Sequence, residues 1–221
     1  MGCFHAISTI NDGSMKSTDQ DYTSVLAERA TFLNKHALQS EDTTLIQVTY
    51  ESDSFCRYHT LSTHDKGDGI TRSATIEADA LVITEPTHAL LLPLADCVGA
   101  VIYDPDNNIL MISHLGRHNL EQFGGTKCIE YLVDSFGSNP GNLLVWLTPS
   151  AGKENYPLYR FDNRSLQEVS VEQLTAAGIA GSHIKTSGID TTTDQNYFSH
   201  SEYLKGSRDT DGRFAVVAVL N

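Results

Sequence analysis

The chain has 221 residues, with 28 Asp and Glu against 15 Lys and Arg, for a formal charge of −13. A surface this acidic repels phosphate backbones and anionic headgroups, and no Lys/Arg run overrides the average, so nucleic-acid and membrane-surface partners are excluded. No apolar run approaches the ~20 residues needed to span a bilayer.

At this length about 70 % of the unfolded chain's surface can be buried, enough for one core without disulfide staples. A single domain over residues 1–221 is therefore expected. The start, MGCFHAIST, lacks the basic and long apolar regions of a signal peptide, and Ala6 stands where a myristoylation pattern wants Ser or Thr. Cys3, Cys56, Cys97 and Cys128 are scattered, which favours free thiols or a ligand over a disulfide frame and points to a cytoplasmic protein.

In chain order, FHAIST reads as a short strand running into the polar turn NDGSMKSTDQD. YTSVLAERATFLNKH then spaces Val25, Leu26, Ala30, Phe32 and Leu33 as a helix after an Asp or Thr cap. TTLIQVTY is β-branched and apolar, a strand. The polar stretch from Glu51 to Glu77, carrying His59 and His64, predicts a long loop or a hairpin with a mobile tip.

ADALVIT, HALLLPLADCVGAVIYD and NILMISHLG are three β-rich runs, the last two joined by the turn PDNN. LLLPLADCVGAVIY is apolar on both alternating faces, as a strand covered on both sides would be. A helix is expected from Leu120 to Phe136, burying Phe123, Ile129, Leu132, Val133 and Phe136. NLLVWLT is a strand, SLQEVSVEQLTAAGI a helix ended by Gly178, and RFAVVAVL a final strand after a long loop. These elements predict an α+β fold, an α/β sandwich of mixed sheets flanked by helices.

Cys97 and His114 are the first candidates for chemistry, because a hairpin between their strands can bring thiol and imidazole together. Such a pair can hold zinc or copper, or act as nucleophile and base; a buried structural cysteine with a hydrogen-bonded histidine is the plainer alternative. Either active reading needs a third group, and His118, His59 and His64 are the histidines near enough in sequence to supply it. Arg29, Arg117 and Arg213 are candidates for holding an anion such as phosphate, since a guanidinium bonds phosphate oxygens bidentately. Thr148–Tyr156 follows a buried strand where an α/β site is usually lined, but lacks Walker spacing.

Ala-Asp-Ala-Leu-Val (78–82), Leu-Ala-Asp-Cys (94–97) and Ser-His-Leu-Gly-Arg (113–117), in this order and spacing, resemble the laccase-domain family, also called multicopper polyphenol oxidoreductases. The likeness extends to Ser8-Thr9, Glu28-Arg29, Gln47-Val48, Leu147–Gly152, Tyr197-Phe198-Ser199 and Gly212-Arg213, so it covers nearly the whole chain. It implies the family fold and a zinc-dependent purine nucleoside phosphorylase with adenosine deaminase and methylthioadenosine phosphorylase activities. It further implies catalytic roles for Cys97, His114 and Arg29, substrate contacts from Gln47, Arg117, Ser150, Phe198 and Arg213, and a metal on Cys97 and His114, with His118 expected to complete the ligand set. Zinc is the cofactor so implied, with copper as the alternative. A purine nucleoside and phosphate are the partners, and the chain is a monomer or homodimer.

Two departures matter. The family's first metal-binding histidine maps to Thr49, whose neutral hydroxyl is a poor zinc ligand, and its Trp and Arg after the second histidine become Arg117 and His118. The site is therefore either rebuilt around His118, His59 or His64, or it has lost its metal and the fold serves as a binding or regulatory module. Multicopper oxidation fits poorly in either case, because the nine histidines include no H-x-H pair.

Overall fold

The computed structural model describes residues 2–16 and 22–221. The chain opens with β1 (Cys3–Ile7) and α1 (Tyr22–Lys35); the cap expected at Asp21 lies outside the described residues. Then come β2 (Thr43–Leu45), β3 (Tyr58–Thr60), β4 (Ala80–Ile83), β5 (Ala89–Leu94), β6 (Val98–Asp104) and β7 (Ile109–Leu115). The second half holds α2 (Arg117–Glu121), α3 (Gly124–Phe136), β8 (Leu144–Leu147), α4 (Leu166–Ala176), β9 (Ile184–Thr186), α5 (His200–Leu204) and β10 (Phe214–Leu220).

The strands build two mixed sheets, one ordered β1-β10-β5-β2 and the other β3-β4-β7-β6-β8-β9. Alternation along each strand explains why they stack. In β10, Phe214, Val216, Ala218 and Leu220 face the second sheet, while Ala215, Val217 and Val219 face Phe32 and Leu33 of α1. In β6, Val101 and Tyr103 face the first sheet, while Val98, Ala100 and Ile102 face α3 and α4. The result is helix, sheet, sheet, helices, the expected α+β sandwich in one compact body. Each fully buried Leu, Ile or Val in these layers contributes about 1.5–3 kcal/mol before chain entropy is subtracted. Among the described residues no helix is long and apolar enough to cross a membrane.

Four details correct the sequence reading. The run from Leu90 to Tyr103 is two strands in different sheets, β5 and β6, separated by a turn in which Asp96 takes φ +76°. Both were apolar on both faces because each lies in a sheet with packing on both sides. The helix expected from Leu120 to Phe136 is broken into α2 and α3 by Phe123 at φ +63°, whose ring is exposed, as is Val133. Gly124 allows the break, since a Cβ there would lie 1.8 Å from Asn119 Oδ1. The 51–77 stretch is no hairpin: its strand β3 pairs with β4 in parallel. α5 arises inside the long loop expected before the last strand, and β9 in a stretch given no element.

Pro93 shows how the fold opens a cleft. It sits in β5 opposite Ala215 of β10, but β2 pairs only with Ala89–Leu91 on the other side, so the missing N–H of Pro93 interrupts no ladder there. Beyond that point the chain after β2 leaves the sheet. The space so formed is the main cavity.

Candidate functional site

The cavity measures about 840 Å³ and is bounded by the 45–50 segment, the β5–β6 turn, the end of β7, the start of α2, and α5. At its floor are Cys97 and His114. β6 and β7 pair with Gly99 opposite His114, which brings the end of β7 beside the turn carrying Cys97. A Cβ on Gly116 would lie 3.0 Å from Cys97 Sγ, 3.0 Å from His114 Nε2 and 2.7 Å from its Cε1. Glycine at 116 is thus what lets thiol and imidazole converge on one point.

Burial pushes the Cys97 thiol up to about 12, with the neighbouring Asp96 charge adding to it; Arg213, Arg117 and the Arg117 backbone N–H act the other way. Burial also holds His114 down to about 4, opposed by Asp79 and helped by Arg57. At neutral pH the floor is therefore a thiol and an uncharged imidazole. His114 Nδ1 is buried and has no hydrogen-bond partner among the described residues.

The rim is ionic. Asp211 accepts from Lys16, from Arg213 Nη1 at 2.7 Å and from His200 Nδ1 at 2.8 Å. Burial opposes ionisation of this carboxyl, yet the hydrogen bonds from Lys16, Arg213 and His200 hold it well below the usual carboxylate range. Lys16, His200 and Arg213 all line the cavity, and the exposed Arg117 faces them from α2. Two aromatic walls complete it. Tyr50 lies near Phe55 and His118, with Phe55 and His118 stacked at 4.9 Å, and Tyr156 stands beside Arg117.

The fold brings Gln47, Cys97, His114, Arg117, His118 and Arg213 to this one cavity. Three expected residues behave differently. Arg29 also lines the cavity but is only 1 % exposed, with Nε and Nη2 donating to the Met15 carbonyl and Nη1 to the Gly69 carbonyl, bonds that fix the guanidinium to the backbone. Ser150 is buried behind the cavity, bridged to Asp190, and does not line it. Phe198 packs into the core between the sheets, against Gly212, so it positions the loop and touches no ligand space. His59 and His64 are exposed and outside the cavity.

Tyr50, Tyr156, Lys16, His200, Arg57 and Asp79 were missed from the sequence. The one available signal was Asp79, a carboxylate inside the apolar run EADALVIT; it proves wholly buried.

The sequence profile of the multi-copper polyphenol oxidoreductase laccase family matches residues 6–161, well over half of the chain. The chain belongs to this laccase-domain family. Its fold is that of the Bacillus licheniformis hypothetical protein YfiH, with 22 % identity, a TM-score of 0.86, and coverage of 99 % of this chain and 93 % of that one. Geobacillus stearothermophilus YlmD aligns as well, with 20 % identity and a TM-score of 0.86 over 100 % of this chain and 92 % of that one. Neisseria meningitidis protein NMB0706 follows with 15 % identity and a TM-score of 0.76, covering 99 % and 94 % respectively. No curated protein matches the chain.

The family's description names copper, and the donor set decides whether this laccase-domain chain fits a metal. Cys97 and His114 converge, and each is a good ligand for zinc or copper. No third donor joins them: among the described residues no group of three His, Cys, Asp or Glu side chains could hold an ion. His118, the expected third ligand, stacks on Phe55 and meets Arg117 Nη2 at 3.3 Å. Thr49 has its hydroxyl committed to Glu77 and Arg57. The residues present therefore do not complete a zinc site or a copper site.

Proposed function

We propose that the cleft binds a purine nucleoside together with inorganic phosphate and carries out phosphorolysis of adenosine, inosine or methylthioadenosine. A phosphate oxygen attacks C1′, the C1′–N9 bond breaks with its electron pair going to the purine, and the purine takes up a proton. The products are the sugar 1-phosphate and the free base. What supports this is the cavity of about 840 Å³ that sets Arg117, Arg213 and Lys16 around an uncharged Cys97–His114 floor. Cations suit phosphate, and the neutral thiol, imidazole and Tyr50 ring suit a sugar and base; pockets of about 300–1,000 Å³ are the usual size for such ligands. Adenosine deamination, the other activity the family resemblance implies, would use the same base-binding space. No nucleic acid or membrane enters this reading.

The test is incubation with each nucleoside in phosphate buffer and chromatographic detection of base and sugar 1-phosphate. Phosphate-dependent release, reduced at least about tenfold by Arg213→Ala, is the expected result. No release from any of the three nucleosides overturns it. A second reading, a binding module without turnover, is favoured by the clamp on Thr49, and it predicts nucleoside affinity without product. Copper-dependent phenol oxidation has no comparable support in the donor set, and oxygen consumption on added phenol and copper would reverse that assessment.

A further inference from the structure

The position that a third ligand would need is built around a different cation. Thr49 donates its hydroxyl proton to Glu77 Oε2 at 3.0 Å and accepts from Arg57 Nη1 at 2.7 Å. Arg57 is fixed on several sides. Its Nε reaches Asp79 Oδ2 at 2.8 Å, its Nη2 the Thr49 carbonyl at 3.0 Å and Asp79 Oδ1 at 3.3 Å, and its backbone N–H Asp79 Oδ2 at 3.0 Å. Asp79 is wholly buried, and its own carbonyl accepts from the His114 backbone N–H at 2.8 Å. The guanidinium is therefore held by the residue whose carbonyl also takes the backbone N–H of His114 at the cleft floor.

We infer that the Arg57 guanidinium, locked between Asp79 and Thr49, occupies the third-ligand side of the Cys97–His114 pair, and that this pair holds neither zinc nor copper. Three features lead there. The neutral Thr49 oxygen that would have to ligate is already used in both directions. A divalent ion would have to compete for the Asp79 and Glu77 carboxylates with a guanidinium that cannot lose its proton and already pairs with both. Asp79, whose carbonyl meets the His114 N–H, already has both carboxylate oxygens on Arg57, and Asp96, beside Cys97, is held by the Thr191 hydroxyl and the Ser201 N–H. The inference rests on residues 49, 57, 77 and 79 and holds whether or not the cleft cleaves nucleosides.

The experiment is metal analysis of the full chain, produced in zinc-supplemented cells and purified without chelator, followed by titration with zinc and with cobalt(II) as a thiolate-sensitive optical probe. Below about a tenth of an equivalent of zinc or copper, and no thiolate-to-cobalt band, are expected. Thr49→His with Arg57→Gln restores a third donor and removes the cation, so it should take up about one equivalent of zinc, lost again on Cys97→Ser. Wild-type protein that binds about one equivalent through Cys97 overturns the inference on its own, even if the double variant does not fold. A folded double variant that stays metal-free overturns the part assigned to Arg57 and Thr49. Failure of the phosphorolysis proposal would show as absent base release, a readout independent of metal content.

Discussion

The floor and the rim of the cleft solve the problem of polar side chains in opposite ways. At the floor, Cys97 and His114 are kept uncharged by burial, the thiol up at about 12 and the imidazole down at about 4. At the rim, Lys16, Arg213 and His200 gather on one carboxylate, Asp211, which their hydrogen bonds keep ionised. Depth explains the difference: at the floor desolvation outweighs the few partners, and at the rim, where water still reaches, the partners outweigh desolvation. A neutral floor under a charged rim is suited to a ligand that is itself polar at one end and charged at the other.

Asp79→Ala should break the contrast most severely. It strips the carboxylate from Arg57 and leaves a cation in the wall, a loss of about 3–5 kcal/mol that denaturant unfolding would measure. Next is the floor's response to acid. Between about pH 6.5 and 4 the unfolded imidazole binds a proton that folded His114 refuses, so stability is full above that window and falls as pH is lowered through it. The loss should be on the order of 3 kcal/mol, and His114→Gln should flatten it. Buried His88, also lowered to about 4 by desolvation, adds a slope of the same sign, so the comparison between wild type and variant is the measurement that isolates His114.

Gly116→Ala tests the convergence itself. Its new methyl would meet the imidazole and the thiol together, costing about 1–3 kcal/mol and abolishing nucleoside binding in calorimetry. The smallest effect belongs to the rim. Asp211→Asn should change stability by under about 1 kcal/mol but free two cations, Lys16 and Arg213, so phosphate should bind several-fold tighter at low salt and lose that gain as salt is added.

Legibility followed the same division. The sandwich could be read because β10, β6 and β7 are continuous apolar runs, as strands covered on both faces are. The crossing at Asp96 could not, since two doubly covered strands in succession look like one long strand, and a left-handed aspartate has no strong local signature. Cys97 and His114 stood out as chemically able residues beside strong strand signals. Arg57 did not, because it lies in a polar stretch where any arginine looks solvated, and its importance arises only when β3 docks in parallel on β4 and brings Asp79 beside it. The anchoring of Arg29 was hidden for the reverse reason: its guanidinium donates to backbone carbonyls far apart in sequence, at Met15 and Gly69.

The turn that carries Cys97 also governs how far the cleft can open. Asp96 accepts from the Thr191 hydroxyl at 2.9 Å through Oδ1 and from the Ser201 backbone N–H at 2.7 Å through Oδ2, while its carbonyl takes the Ala151 N–H at 2.8 Å. One carboxylate thus moors the first turn of α5, which presents His200 and Leu204 to the cavity, directly to the strand crossing below. Any hinge motion of α5 has to pull against that mooring. Asp96 is accordingly the stop that sets the width of the entrance.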